Sequence, residues 1–280
     1  MLVAKEYNST EEHMEKKFAV TLGNSESRPS GITIKSPQEI RWMREAGYVV
    51  AQTKAALVRA IAPGMKTREL DVIASRQIFK MGAQPSFKGY RGFPATICIS
   101  VNEQIVHGIP GNRVIRDGDI VSMDVGAIVE GYQGDSAVTV GVGTISLEAQ
   151  RLIDATREAL DAGILQALTG YRVGDISWAI QQYSESLGYG VVREYVGHGI
   201  GRALHEEPSV PNFGDPGRGP LLEPGMAIAI EPMLNVGGWE TKVLEDDWTV
   251  VTADGELSAH FEHTVAITES GPEVLTALEN

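Results

Sequence analysis

Residues 120–140 read IVSMDVGAIVEGYQGDSAVTV. Two short apolar strands folded over Glu130-Gly131 account for this pattern, and each carries one aspartate where a core residue is expected. A two-residue turn at Glu130-Gly131 sets Asp124 opposite Ala137, two residues beyond Asp135. Side chains alternate faces along a strand, so Asp124 and Asp135 project from one face as diagonal neighbours, roughly 7–8 Å apart at Cα. Two carboxylates that close among Ile, Val and Ala do not both stay ionised without a cation between them. The plainer reading of these two residues is a solvent-facing pair on an amphipathic hairpin, and the rest of the chain has to decide.

The chain has 280 residues, room for one large domain or two small ones with a sizeable core. Its net charge of −13 makes a phosphate backbone a poor main partner, so no nucleic-acid substrate is expected. Cys98 is the single cysteine, which excludes an intrachain disulfide and a Cys-based zinc site. No apolar run approaches the ~18 residues of a membrane span, and residues 1–18 lack the apolar core of a signal peptide. A cytoplasmic protein fits these totals.

Residues 1–31 are polar and charged, an N-terminal extension that reads as a mobile tail or a short strand laid on the body, with His13 solvated. Order begins near Ile32, and residues 32–280 read as a single domain. Ser36-Pro37-Gln38-Glu39 is a helix start with a capping box, and Ile40, Met43, Gly47, Val50 and Leu57 keep one face apolar to about Ile61. Thr67 is expected to cap a second helix that ends at Gly82. Phe87, Tyr90 and Phe93 cluster in a looser segment, followed by strands over Ala95–Val101 and Gln104–Ile109, the latter containing His107.

The order then repeats. A helix over Ser146–Leu168 is broken at Gly170, and another opens at Asp175 and ends at Gly188. The interval from Gly64 to Gly170 equals the interval from Gly82 to Gly188. The fold expected is α+β with pseudo-twofold halves: an antiparallel sheet flanked by two helix pairs, with a site in the cleft between them.

The second strand region supplies more polar residues in apolar settings. His198 sits in VGHGIGR among glycines that would let backbone approach a ligand, and His205 follows in ALHEEP. Glu231 ends the strand AIAIEP, where Pro232 stops it. In SAHFEHTVAIT, Ser258, His260, Glu262 and Thr264 share one face by alternation. Singly, each has a bland reading: a satisfied histidine, a solvated glutamate. Glu206 and Glu207 keep that reading, as solvated or turn residues. Jointly, Asp124, Asp135, Glu231 and Glu262 interrupt strand-like runs and are accompanied by a glycine-flanked histidine. Carboxylates gathered in one cleft repel, and one or two divalent cations resolve that repulsion. Oxygen-rich ligation with one imidazole suits Mn, Fe, Co or Zn, and two such ions about 3.5–4 Å apart make a hydrolytic centre.

The segments GDSA, GHGIG, HEEP, IEPM and EHT, in this order and spacing, resemble the type I methionine aminopeptidases of the pita-bread fold over residues 32–276. The resemblance implies a dinuclear metal centre on Asp124, Asp135, His198, Glu231 and Glu262, with Asp135 and Glu262 bridging. It implies metal-activated water attacking the scissile carbonyl, Glu231 shuttling the proton, His205 at the developing oxyanion and His107 at the scissile amide. Tyr90, Phe93, Cys98 and Trp248 match the family's methionine pocket, and Leu204 stands where many bacterial relatives carry an aromatic residue. The short span from His205 to Glu231 leaves no space for the helical insertion of type II relatives. The implied substrates are nascent polypeptide N-termini with a small second residue. A monovalent cation near Asn102 and Ser258, ribosome association and a monomeric state also follow from the resemblance. The competing readings are a proline-specific peptidase of the same fold, a catalytically silent binding protein of that fold, and a hairpin-rich structural protein with surface acid patches.

Overall fold

Glu130 and Gly131 both have positive φ, 50° and 78°, which gives the tight turn a twist that matches the strands it joins. Ile120–Val129 and Tyr132–Gly141 pair across it with Asp124 opposite Ala137 and Gly126 opposite Asp135, so both aspartates leave one face of the hairpin as expected. The structure, a computed structural model, describes residues 31–278. The N-terminal extension, His13 included, lies outside the described residues apart from Gly31.

Four long helices surround the strands. Helix α1 spans Pro37–Ala60, α2 Thr67–Lys80, α3 Leu147–Ile164 and α4 Val173–Ser186. The capping box of α1 is present: Ser36 N–H donates to Glu39 Oε2 at 2.7 Å and Glu39 N–H to Ser36 Oγ at 3.4 Å. Two expected helix starts are corrected. Thr67 is the first residue of α2 and not its cap; its hydroxyl instead accepts from Gly111 N–H at 2.8 Å, and Glu69 accepts the Lys66 N–H at 2.7 Å. Asp175 lies inside α4, and its carboxylate accepts the Arg172 N–H at 2.8 Å. In both cases an acid in the first turn reaches back to the N–H of the N-cap residue, the half of a capping box that does not need a Ser or Thr side chain at the cap.

These corrections extend the internal repeat. α2 and α4 are each 14 residues long, and their first residues, Thr67 and Val173, are separated by the same interval as the matched glycines. Gly64, Gly82, Gly170 and Gly188 all have φ between 77° and 92°, a backbone that only glycine adopts cheaply. The bridge Lys66–Val114 has its counterpart in Arg172–Leu221.

The strands form antiparallel sheets. Gln84–Pro85 and Cys98–Val101 flank Ile120–Val129, and a five-stranded sheet runs Gly271–Val274, His263–Thr268, Ala227–Ile230, Gly197–Gly199, Glu206–Val210. The expected strand Gln104–Ile109 stops at Val106, because His107 turns into left-handed backbone at φ 59°. One apolar core lies under α1 and α2, with Leu57, Leu70, Ile78 and Met123 fully buried. A second lies under α3 and α4, with Leu152, Ile176 and Ile180. The halves are tied where Thr264 Oγ1 donates to Asp135 O at 2.8 Å and accepts Asp135 N–H at 3.0 Å, and where Thr139 Oγ1 both accepts from His260 N–H at 2.9 Å and donates to His260 O at 2.8 Å.

Of the two readings of Glu206, the turn residue holds and the solvated one does not: its carboxylate accepts the Ala203 N–H at 3.1 Å, three residues back, and also holds Lys35 Nζ at 2.9 Å and the Thr33 hydroxyl at 2.6 Å. Among the described residues no helix is long and apolar enough to cross a membrane.

Candidate metal and peptide site

The cleft between the halves gathers the expected residues. Asp124, Asp135, His198, Glu231 and Glu262 line one cavity together with Tyr90, Phe93, Cys98, His107, Leu204, His205 and Trp248. Each ligand candidate sits where regular pairing fails or one strand face turns inward. Asp124 and Asp135 point from the hairpin. Glu231 follows Ala227–Ile230 at once, ahead of Pro232. Glu262 occupies the break between Ser258–His260 and His263–Thr268, so the single alternating strand expected there is two strands. His198 lies at a bulge between Gly197–Gly199 and Glu206–Val210.

Ligand atoms of Asp135, His198 and Glu262 lie within 4.8 Å of one another. The imidazole orientation follows from its neighbour. His198 Nδ1 is 2.9 Å from the Gly199 carbonyl, which only accepts, so Nδ1 carries the proton and Nε2 offers a lone pair. That lone pair faces Glu231 Oε1 at 3.6 Å, and Glu231 Oε2 faces His260 Nε2 at 3.9 Å. Asp124 Oδ1, Asp135 Oδ1 and Glu262 Oε1 are buried with no hydrogen-bond partner among the described residues. Orphaned carboxylate oxygens that converge with an imidazole lone pair are a donor set for hard to borderline divalent cations, so the residues present fit such ions.

The charge balance says the same. Burial, followed by the neighbouring carboxylates, pushes Asp135 and Glu231 well above the usual carboxylate range, and burial pushes Glu262 up likewise. Asp124 is raised to about 7 by burial. Burial lowers His198 and His107 to about 4 and His205 to about 2, so all three are neutral near pH 7.

A stability prediction follows from these directions. Below about 6.5, the buried histidines bind fewer protons folded than unfolded, and they oppose the carboxylates. Between about 6.5 and 8 the four raised carboxylates, which bind more protons folded than unfolded, outweigh the buried histidines and Lys54, lowered to about 8 by burial, which bind fewer, and stability falls wherever the folded state holds the excess of protons. Metal-free protein is therefore expected to melt at a progressively lower temperature from pH 6.5 to 8, and saturating Mn(II) to flatten the trend. Calorimetry across that window checks it; a rising metal-free melting temperature would contradict the buried-carboxylate account.

Beside the carboxylates the cavity is apolar. Phe93 and Trp248 meet edge to face at 5.0 Å, and Leu204 and Cys98 are buried against them. The Cys98 thiol is pushed well up, first by burial, and stays protonated, in keeping with a packing role. Tyr90 Oη lies 2.8 Å from His205 Nδ1, and the His205 ring stands 4.1 Å from that of His198. His107 packs edge-on against Tyr195 and Trp248.

Sequence reasoning missed two residues here and misread three. Phe87 lines the cavity, and its spacing with Tyr90 and Phe93 was the available signal. His260 stands behind Glu231, and its alternation with Glu262 was the signal. The glycines around His198 serve neighbouring chain and not a ligand: a Cβ on Gly197 would meet the Ala229 carbonyl oxygen at 2.3 Å, on Gly199 the Glu207 oxygen at 2.1 Å, and on Gly201 the Glu206 carboxylate at 2.6 Å.

Residues 41–269 match the model of metallopeptidase family M24. The chain is 56% identical over 245 residues to methionine aminopeptidase 1 of Bacillus subtilis, covering 88% of this chain and 99% of that one. The crystal structure of a methionine aminopeptidase from Thermotoga maritima superposes with a TM-score of 0.87 at 46% identity, covering 88% of this chain and all of that one. A prolidase from Pyrococcus furiosus reaches 0.71 at 23% identity over 88% of this chain and 66% of its own, a likeness of fold alone.

Proposed function

The chain belongs to metallopeptidase family M24 and acts as a metal-dependent methionine aminopeptidase with the pita-bread fold, and we propose that Asp124, Asp135, His198, Glu231 and Glu262 hold two divalent ions while Tyr90, Phe93, Cys98, Leu204 and Trp248 receive the methionine side chain. The observation that carries this reading is the convergence of orphaned carboxylate oxygens and the His198 lone pair at the floor of an aromatic, thiol-lined cavity.

Divalent ions bound there supply a water that is deprotonated near neutral pH and a Lewis acid for the amine and carbonyl of the substrate. The remaining steps belong to the chain. Glu231, beside the bound ions, takes the proton of the attacking water and delivers it to the leaving nitrogen. Tyr90 donates to His205 Nδ1, which leaves the proton of the neutral ring on Nε2, where it donates to the developing oxyanion. His107, neutral and set in left-handed backbone at the cavity edge, hydrogen-bonds the scissile amide. Phe93 and Trp248 offer ring edges and faces to a thioether, and an unbranched side chain fits between them and Leu204.

The same reading extends to nascent chains with a small second residue as substrates, in the cytoplasm, by a monomer that can associate with the ribosome. A monovalent cation belongs near Asn102, whose carbonyl accepts the Ser258 N–H at 2.9 Å.

The test is hydrolysis of Met-Ala-Ser against Pro-, Ala- and Leu-initiated analogues, with metal-stripped protein titrated with Co, Mn, Fe or Zn. Release at least 100-fold selective for Met, returning with metal, is expected. Cleavage of X-Pro peptides instead would move the assignment to a proline-specific enzyme of this fold. Metal binding with no hydrolysis would leave a silent binding protein.

A further inference from the structure

The inward face of α1 carries Met43, Gly47, Val50 and Leu57 at helical spacing, and the position that completes this row is Lys54. A lysine there would ordinarily run its stem along the core and lift its ammonium to solvent. Lys54 does the opposite. Its Nζ donates to the hydroxyl of Ser136, the residue next to Asp135, on the hairpin face that α1 covers. The same Ser136 hydroxyl donates to the backbone carbonyl of Glu262 and lies 3.4 Å from His263 Nδ1. The ammonium is thus anchored behind the strand that bears Asp135 and beside the segment that bears Glu262. Its electrostatic partners are Glu262, Asp124 and Asp135, three of the carboxylates assigned above to the metal centre.

Resting on the metal-centre reading above, we propose that Lys54 is a resident counter-cation of the carboxylate cluster, a positioning residue that weakens divalent-ion binding. A positive charge fixed behind the ligands attracts them and repels an arriving cation, and the repulsion is greatest for the last ion to bind, when the carboxylate charge is already largely neutralised. Removing the charge while keeping the bulk therefore tightens metal binding, above all for the weaker of the two ions. Lys54 itself does not line the cavity, so its replacement removes no group that faces the substrate.

The experiment is isothermal titration of metal-stripped full-length protein with Mn(II), comparing wild type, Lys54→Met and Lys54→Arg. Lys54→Met is expected to bind the weaker ion at least tenfold more tightly, while Lys54→Arg stays within threefold of wild type. Unchanged or weakened binding in Lys54→Met would overturn the proposal. So would an equal shift in Lys54→Arg, which would assign the effect to packing. Failure of Lys54→Met to fold even in saturating Mn(II) also overturns it, because a charge that only competes with the ions is dispensable once they are bound. A wild type that binds no divalent ion would instead sink the metal-centre reading, which keeps the two failures apart.

Discussion

Asp135→Asn is expected to lower kcat/KM for a methionyl peptide by at least about 10³-fold, a loss of roughly 4 kcal/mol of transition-state stabilisation. The amide keeps the size of the carboxylate but neither its charge nor its second acceptor. Asp135 is buried, its Oδ1 has no partner among the described residues, and it stands within 4.8 Å of ligand atoms of both His198 and Glu262. Its companion effect on stability separates a ligand from a structural residue. Burial and the neighbouring carboxylates raise the Asp135 pKa, so the ionised side chain strains the metal-free fold. The Asn variant is accordingly expected to melt at or above the wild-type temperature without metal. It should also lose the metal-induced increase, which for a wild type at 100 times its Kd is about 2.7 kcal/mol. Melting curves with and without Mn(II) check both arms; a variant that melts far lower without metal would mark Asp135 as a structural residue.

Gly199→Ala is expected to cost about 3 kcal/mol or more, lowering the melting temperature by roughly 6–12 °C. The added Cβ would stand 2.1 Å from the Glu207 carbonyl oxygen and 2.5 Å from its carbon. Both are backbone atoms, so no rotamer change relieves the clash and Gly197–Gly199 must part from Glu206–Val210. The His198 ring is aligned by its bond to the Gly199 carbonyl, so metal affinity falls along with stability. Gly82→Ala serves as the control. Gly82 has φ 77° but nothing within 4 Å of an added Cβ, so its variant carries only the left-handed penalty of about 1–2 kcal/mol per residue. Equal melting temperatures for the two variants would show that the close approach at Gly199 is not limiting.

Much of the site was legible because its signals are local. The hairpin register follows from a two-residue turn and the alternation of side chains, and both act within the hairpin itself. Glu231 and Glu262 were visible as charges inside apolar runs, since an unpaired buried charge is too costly to occur by accident. Where the reading slipped, at Thr67 and Asp175, the helices start behind Lys66 and Arg172, residues with no usual capping side chain, and the acid in the first turn reaches back to the N–H of each.

The amino-acid order by itself thus determined the helix pairs, the hairpin, the internal repeat and the types of residue that face the cleft. Only the tertiary structure decided which of their atoms meet. That His107 leaves its strand, that His260 backs Glu231, that the glycines beside His198 make room for neighbouring carbonyls, and that Lys54 turns inward to Ser136 all depend on contacts between segments far apart in the chain. Periodicity reports which face of an element is covered. It carries no information about what covers it, and the protonation, tautomer and ligand capacity of each group here are set by that cover.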